Sequence, residues 1–230
     1  TGTMIYFVAK ISNLKIIITK EFNNKFKHYG GITGTLWGNI YSDKVEKKKI
    51  QYEQIKKRLE TIRWFEKTAP EDLDFYGFGW TKYVFKGPRI IRALNKLPFL
   101  TRTLAPKFKN YKGEFFGKKQ DLLKKYKFSI CIENAKNYPG YLTEKIFHCF
   151  FSLTVPVYLG CDNITDHIPS GCFIDMRKFK NYESLYKYLK EMDEKEYLQY
   201  QNSIKNFLSS KKFKPFSLQY YVETLSNNIL

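Results

Sequence analysis

Three stretches of the sequence decide the fold: Tyr126-Lys-Phe-Ser-Ile-Cys-Ile-Glu-Asn134, Gly140-Tyr-Leu-Thr-Glu-Lys-Ile146 and Val155-Pro-Val-Tyr-Leu-Gly160. In the first stretch apolar side chains recur with a period of two at Phe128, Ile130 and Ile132, which is typical of a strand. The chain then breaks at Pro139, and Thr143 is a natural N-cap for a following helix. The third stretch is another apolar run. The order strand, polar loop, helix and strand is typical of a nucleotide-binding α/β unit.

A helix that begins after Thr143 would present unpaired backbone N–H groups and a partial positive charge to the loop before it. A phosphate group binds well at such an end, and Lys145 would add a full positive charge. The same residues also fit an ordinary capped helix in a βαβ unit, because capping signals of this kind are common. The pattern by itself therefore leaves a phosphate site and a purely structural helix start open.

Further residues around this unit form a pattern that resembles the C-terminal, donor-binding half of the family 10 glycosyltransferases, the α-1,3/1,4-fucosyltransferases. The matching segments are Tyr126-Lys-Phe128, Glu133-Asn134, Tyr141-x-Thr-Glu-Lys145, Pro156-Val-x-x-Gly160, Arg63-Trp-Phe-Glu-Lys67, Asp74-Phe-Tyr-Gly-Phe-Gly-Trp80 and Phe173-Ile-Asp175. The resemblance implies a Rossmann-like doubly wound parallel sheet of the GT-B glycosyltransferase type, with the N-terminal acceptor domain reduced or missing.

The resemblance also implies an activity. We expect an inverting fucosyltransferase that moves fucose from GDP-fucose to a hydroxyl group of a glycan acceptor in an α-1,3-type linkage. Such a transfer leaves negative charge on the diphosphate, and cationic side chains then have to stabilise the leaving group. No metal or other cofactor is expected as an obligatory component.

The family pattern supplies the expected site residues. Lys145 would contact the phosphate and Glu144 would accept hydrogen bonds from sugar or ribose hydroxyls, so both are expected at the catalytic centre. Tyr141 would hydrogen-bond the diphosphate, and Asn134 would orient the donor. Glu144 also fits a carboxylate that only stabilises the helix start. The complete donor-binding set is Glu133, Asn134, Tyr141, Thr143, Glu144, Lys145 and Lys109.

Two positions depart from the family pattern. Lys109 stands where an arginine is expected, and a lysine keeps the charge but loses the bidentate fork. Arg102 is an alternative cation. The general base of the family, a glutamate of the acceptor-binding domain, is not assigned here. The glutamates far enough upstream to replace it are Glu21, Glu46 and Glu53. We therefore expect either a donor-binding fragment without its base or a naturally reduced enzyme.

The pattern divides the chain into three parts. Residues 1–54 are interpreted as an unmatched segment and a remnant of the acceptor-binding domain, residues 55–204 as the nucleotide-sugar-binding domain, and residues 205–230 as a basic aromatic tail. Residues 3–40 suggest strands and turns, and residues 81–120 an extended basic connection. The expected helices are 43–67, 90–97, 120–125, 182–192 and 194–209, and the expected strands are 73–76, 128–132, 155–159 and 172–175.

The first of these helices is expected to be amphipathic. Its apolar side chains are Ile55, Leu59, Ile62 and Phe65, which are spaced by four, three and three residues on a background of lysine and glutamate. These four side chains are predicted to face the core.

The net charge predicts an anionic partner. The 230 residues carry 40 Lys and Arg against 22 Asp and Glu, a formal charge of +18. With 18 Tyr and 20 Phe, this composition also fits a basic nucleic-acid-binding protein. No recognised nucleic-acid motif is present, so nucleic acid is not the expected partner. A membrane-associated, non-catalytic module remains a further alternative, with Lys205–Lys214 and the aromatic C-terminus on anionic lipid.

Metal and redox sites receive little support from the sequence. The cysteines Cys131, Cys149, Cys161 and Cys172 lack C-x-x-C spacing, and they predict buried free thiols in a reducing compartment, with a Cys161–Cys172 disulfide as the minor alternative. Three scattered histidines form no ligand cluster. The Asp72-Leu-Asp74 sequence precedes a strand instead of closing one, so no metal site is predicted there.

The apolar stretch from Met4 to Ile18 is interrupted by Lys10, Asn13 and Lys15. It therefore resembles neither a membrane span nor a signal peptide. The expected location is the cytoplasm, with peripheral attachment to the inner face of a membrane.

Overall fold

The computed structural model describes residues 16–20, 44–77, 80–134 and 139–229. The strands are β1 (Ile16–Lys20), β2 (Leu73–Gly77), β3 (Phe128–Ile132), β4 (Val155–Leu159) and β5 (Ile174–Asp175). The α-helices are α1 (Lys44–Thr68), α2 (Arg89–Ala93), α3 (Pro98–Thr103), α4 (Lys119–Leu123), α5 (Glu144–Phe151), α6 (Ile164–His167), α7 (Tyr182–Glu191), α8 (Glu194–Leu208) and α9 (Leu218–Ile229).

The strands form one five-stranded sheet in the order β2-β1-β3-β4-β5, and all neighbouring pairs are parallel. The chain moves from β1 outward to β2 and then crosses to the other side of β1 to form β3. This reversal leaves a crevice at the carboxyl ends of β1 and β3, which is where sheets of this kind bind their ligands.

Helices cover both faces of the sheet. Phe128, Ile130 and Ile132 of β3 are fully buried in a core cluster that includes side chains of α1 and α7. Cys131 lies in a second cluster with side chains of α5 and α8. Both faces are apolar because a parallel sheet is covered on both sides. The predicted doubly wound α/β fold is confirmed.

The helices and strands predicted between residues 43 and 209 are confirmed as well, with two differences. The helices α6 and α9 are not among the predicted elements. The basic connection holds two short α-helices and a 3₁₀ turn, because Pro98 occupies the first helical position after the extended Leu97 and starts α3. The strand predicted at 172–175 is shorter, because Ser170–Cys172 form a 3₁₀ turn before β5.

Segments near both ends of the described chain belong to this fold. β1 lies between β2 and β3, although it falls within the N-terminal segment that the sequence pattern leaves unmatched. At the other end α8 continues through position 205, and Phe207 is buried in the same cluster as Ile204. Phe213 and Phe216 pack against that cluster. Apart from β1, the strands and turns predicted for residues 3–40 lie outside the described residues.

The acidic pair Asp72 and Asp74 is split between two environments. The Tyr186 hydroxyl donates to Asp72 at 2.5 Å, whereas Asp74 accepts from the Tyr126 hydroxyl at 3.3 Å and lies 3.5 Å from the Lys112 ammonium. The four cysteines are buried free thiols, as predicted. Within the described ranges, no three His, Cys, Asp or Glu side chains are arranged to hold a metal ion.

No helix in the described part of the chain combines the length and the apolar character that a membrane crossing requires.

Candidate functional site

Polar side chains meet at the carboxyl edge of the sheet, beside the reversal of strand order. Glu133 and Asn134 follow β3 directly, and Gly160 follows β4. The Glu133 N–H donates to the Leu159 carbonyl at 2.8 Å and extends the pairing of the two strands by one residue. α5 begins beside them after Thr143, and these three elements form the frame of the site.

The Glu133 carboxylate is the centre of this frame. Its Oε1 accepts the Thr143 N–H at 3.1 Å, and the Thr143 hydroxyl lies 2.9 Å from Oε1 and 2.8 Å from Oε2. The Lys145 Nζ donates to Oε2 at 2.7 Å. The side chains of Glu133 and Lys145 are both completely buried. This network fixes the start of α5 against the end of β3.

Thr143 occupies the N-cap position that the sequence predicts, but its hydroxyl bonds Glu133 instead of the helix. The first turn of α5 therefore has no side-chain cap. Backbone N–H groups at such an end are available to an anionic ligand.

Gly160 is required by close packing. A Cβ atom at this position would clash with the Tyr158 hydroxyl and lie 2.6 Å from Cγ of Glu133. The Tyr158 hydroxyl in turn accepts the Cys161 N–H at 3.0 Å. The glycine of the predicted Pro156-Val-x-x-Gly160 pattern thus leaves room for the buried carboxylate.

A cation that the sequence pattern does not indicate reaches the same edge from α1. The Arg58 Nη2 donates to the Ile132 carbonyl at 2.9 Å and to Asn134 Oδ1 at 2.6 Å. Burial lowers the pKa of Arg58 to about 10, although the negative charge of Glu133 opposes this shift. The guanidinium therefore keeps its positive charge at neutral pH.

Tyr141 lies between these groups. Its side chain hydrogen-bonds Asn134, and its pKa is raised, first by burial and then by the negative charges of Glu133 and Glu144. The phenol is therefore protonated at neutral pH. Glu144, the first residue of α5, is exposed.

The structure brings six of the seven sequence-predicted donor-binding residues together. The exception is Lys109. It precedes a segment that pairs with the outer side of β2 through Phe75 and Tyr111, so it lies level with Leu73 at the start of the strands. Strand geometry separates it from Glu133 by about 16 Å along the strands and about 14 Å across them. Lys109 is exposed, and its backbone N–H donates to Glu66. Arg102, the alternative cation, is exposed on α3.

The general base stays unassigned, and the upstream glutamates stay predictions. Glu53 is half-buried on α1. The side chain of Glu46 is not among those described, and Glu21 lies outside the described residues.

The sequence pattern does not reveal Arg58, because the apolar spacing of α1 predicts the wrong buried face between positions 54 and 59. Ile62 and Phe65 are buried as predicted, but Ile55 and Leu59 are 54% and 40% exposed. The buried face is formed by Gln54, Arg58, Thr61, Ile62 and Phe65. Their spacing of four, three, one and three residues is equally helical, and it is the signal that would have found Arg58.

Known proteins that resemble this chain are fucosyltransferases. The sequence model described as glycosyltransferase family 10 (fucosyltransferase), C-terminal, matches residues 105–223, which is more than half of the chain. An α-(1,3)-fucosyltransferase of Helicobacter pylori is 38% identical over 72 residues, which cover 31% of this chain and 15% of the relative. The mouse 4-galactosyl-N-acetylglucosaminide 3-α-L-fucosyltransferase 9 is 40% identical over 85 residues, which cover 35% and 23%.

Solved structures of an α1,3-fucosyltransferase are also similar. The complex with GDP-fucose matches at 30% identity and a TM-score of 0.36, over 40% of this chain and 29% of the other. The complex with GDP matches at 32% identity and the same TM-score, over 39% and 26%. The chain spans less than a quarter of the length of the curated relatives described above.

The buried ion pair of Glu133 and Lys145 yields a stability prediction. Lys145→Met leaves a buried carboxylate without its cation, and we expect the free energy of unfolding to fall by about 3–5 kcal/mol. Replacing both partners in Glu133→Leu/Lys145→Met removes the unpaired charge, so it should recover a large part of this loss. Urea unfolding followed by circular dichroism measures both effects.

A matched control is available on α7, where Lys187 and Glu191 form an exposed pair at 3.9 Å. Lys187→Met should change the free energy of unfolding by less than about 1 kcal/mol. Equal losses for the two lysine variants would contradict the assignment of Lys145 to a stabilising buried pair.

Proposed function

Because the chain belongs to glycosyltransferase family 10, the fucosyltransferase family, we propose that it transfers fucose from GDP-fucose to a hydroxyl group of a glycan acceptor in an α-1,3-type linkage. The relatives named above are fucosyltransferases, and solved structures of such an enzyme contain GDP or GDP-fucose. The proposal extends these properties to this chain. No metal is needed as an obligatory cofactor in the proposed reaction.

In the proposed reaction the acceptor oxygen attacks the anomeric carbon of fucose from the side opposite to the diphosphate. A new C–O bond forms, the bond to the diphosphate oxygen breaks with both electrons going to GDP, and the configuration is inverted. The acceptor proton passes to a general base, for which the candidates remain Glu21, Glu46 and Glu53. Negative charge grows on the diphosphate, so groups that bind it accelerate the step.

The observation that carries the proposal is the convergence of Arg58 and the uncapped start of α5 at the carboxyl edge of the sheet. The two partners that accept from Arg58 Nη2 are neutral, namely the Ile132 carbonyl and the Asn134 amide oxygen. These acceptors do not neutralise the guanidinium, although the charge of Glu133 also acts on it. Helix N–H groups on the other side of the crevice would bind the same diphosphate.

Lys145 contributes in a different way in this arrangement. Its ammonium bonds Glu133, so the pair is neutral as a whole and a direct phosphate contact would have to share or replace that bond. The role of Lys145 as the first phosphate ligand stays a prediction. We assign the larger electrostatic part of diphosphate binding to Arg58 and the α5 N–H groups, and the ordering of the loop to Tyr141 and Asn134.

Titration calorimetry with GDP-fucose in the presence of a metal chelator tests the proposal. Arg58→Ala should weaken binding about 10- to 100-fold, because hydrogen bonds to charged groups contribute about 1.5–3 kcal/mol. The affinity of Arg58→Lys should lie between those of Arg58→Ala and the wild type, because lysine keeps the positive charge but lacks the bidentate guanidinium. Lys109→Ala serves as the control and should leave the affinity unchanged.

The proposed donor site would be refuted by an Arg58→Ala variant that keeps its circular dichroism spectrum and its wild-type affinity. A loss in Lys109→Ala as large as that in Arg58→Ala would instead assign the family arginine position to Lys109. Wild-type protein that binds no GDP-fucose would refute the donor-binding function itself.

We further propose that the C-terminal part attaches the protein peripherally to an anionic membrane, on the cytoplasmic face, where it would meet a precursor of a cell-surface glycan. Lys211, Lys212 and Lys214 lie on an exposed 3₁₀ turn, and the following helix α9 exposes Leu218 and Val222. Lysines beside exposed apolar side chains suit an interfacial helix.

Vesicle co-sedimentation with phosphatidylserine measures this attachment. Replacing Lys211, Lys212 and Lys214 by Gln should weaken binding strongly, since each lysine near an anionic surface contributes about 1 kcal/mol. The effect should disappear at high salt. A control variant with Gln at the exposed Lys187, Lys190 and Lys195 should bind as the wild type does. Identical binding of both variants would exclude the C-terminal lysines as the attachment site.

A further inference from the structure

The buried face of α1 changes from apolar to polar along the helix. Phe65 and Ile62 belong to the sheet core, whereas Thr61, Arg58 and Gln54 continue the same face toward the N-terminus. Gln54 and Arg58 are each only 2% exposed. Polar side chains are seldom buried to this extent unless they are bonded, so this end of the helix is not ordinary core.

Both side chains carry a buried polar atom that no group of the described residues hydrogen-bonds. Among the described residues, the Gln54 Oε1 and the Arg58 Nε have no hydrogen-bonding partner. Gln54 and Arg58 are four residues apart on one helix, so their side chains are neighbours on one face. The same buried face of α1 therefore carries one acceptor, Gln54 Oε1, and one donor, the Arg58 Nε–H, that are not hydrogen-bonded to the described residues.

The orientation of α1 places these atoms over the donor site. Arg58 bonds the carbonyl of Ile132 at the end of β3, whereas Glu66, farther along α1, accepts from Lys109 near the level where the strands begin. The N-terminus of α1 thus lies at the carboxyl edge of the sheet. Gln54, one helical turn before Arg58, lies about 6 Å farther out, beyond that edge.

The chemistry of the two atoms indicates what they bind. A carboxamide oxygen accepts hydrogen bonds only, so a fully ionised phosphate cannot satisfy Gln54 Oε1. The N–H of Arg58 Nε is suited to a phosphate oxygen. A group that carries hydroxyl donors next to a diphosphate is a sugar attached to that diphosphate.

We propose that Gln54 is a further residue that binds GDP-fucose. Its Oε1 accepts a hydrogen bond from a hydroxyl of a sugar, and this sugar is attached to the diphosphate that Arg58 binds. This inference rests on the proposed use of GDP-fucose. The hydroxyl belongs either to the fucosyl group or to the ribose, and binding measurements with two ligands separate these sources. The missing partner of Gln54 is thus supplied by the substrate.

Gln54→Leu tests the proposal, because leucine fills a similar volume and removes the acceptor. Titration calorimetry with GDP-fucose should show an affinity reduced about tenfold, the value expected for one hydrogen bond. If the hydroxyl that bonds Gln54 belongs to the fucosyl group, GDP should bind the variant with the same affinity as the wild type. If that hydroxyl belongs to the ribose, the variant should lose affinity for GDP and for GDP-fucose equally.

Stability without ligand gives an independent readout. Gln54→Leu removes a buried unpaired oxygen, so the melting temperature of the free protein should stay the same or rise. The upward shift of melting temperature on adding GDP-fucose should shrink at the same time. Gln54→Met provides a second apolar variant should leucine disturb the helix. Gln219→Leu, at an exposed position on α9, is the matched control and should change neither quantity.

The proposal is overturned if a folded Gln54→Leu or Gln54→Met variant binds GDP and GDP-fucose with wild-type affinity. That outcome would assign the unpaired oxygen to an internal water molecule and leave the donor-binding function intact. A wild-type protein that binds neither ligand would instead refute the proposed function.

Discussion

The carboxylate of Glu133 is the constraint on which the site depends. A buried charge is tolerated only when it is paired and fully hydrogen-bonded, and this one is held by Lys145 and Thr143. These bonds fix the start of α5 to the end of β3, and the side chains of Glu133 and Tyr158 leave no room for a Cβ atom at position 160. They also draw the Thr143 hydroxyl away from the helix, so the first turn of α5 stays open to a ligand.

The parallel sheet then determines that Arg58 of α1 lies near the start of α5. Because β1 and β2 are parallel, the chain has to return along the sheet between them, and α1 makes this return with Arg58 at the carboxyl edge. Arg58 therefore reaches Asn134 although 76 residues separate them. A site assembled from two such distant segments cannot form until the sheet is complete, which couples donor binding to the fold of the whole unit.

The sequence predicts the elements well because each of them follows a local period. The alternation at Phe128, Ile130 and Ile132 and the break before Thr143 are sufficient for the strand and the helix start. The partners of Thr143 and Lys145 are not predictable in this way, since they depend on distances in space. The choice of Lys109 as the arginine equivalent fails to meet the other residues for the same reason: spacing along the chain does not say at which edge of the sheet a side chain lies.

The wrong prediction of the buried face of α1 has a different physical cause. Apolar periodicity identifies the buried face only where that face packs against a core, and in α1 this holds for Ile62 and Phe65 but not for the turns that extend past the sheet. There the buried face is polar, and Ile55 and Leu59 remain exposed. A buried polar stripe contradicts the local rule for an amphipathic helix and lowers the stability of the free protein. Such departures are expected where function requires them, and under our proposal the GDP-fucose ligand supplies the bonds that α1 leaves unmade.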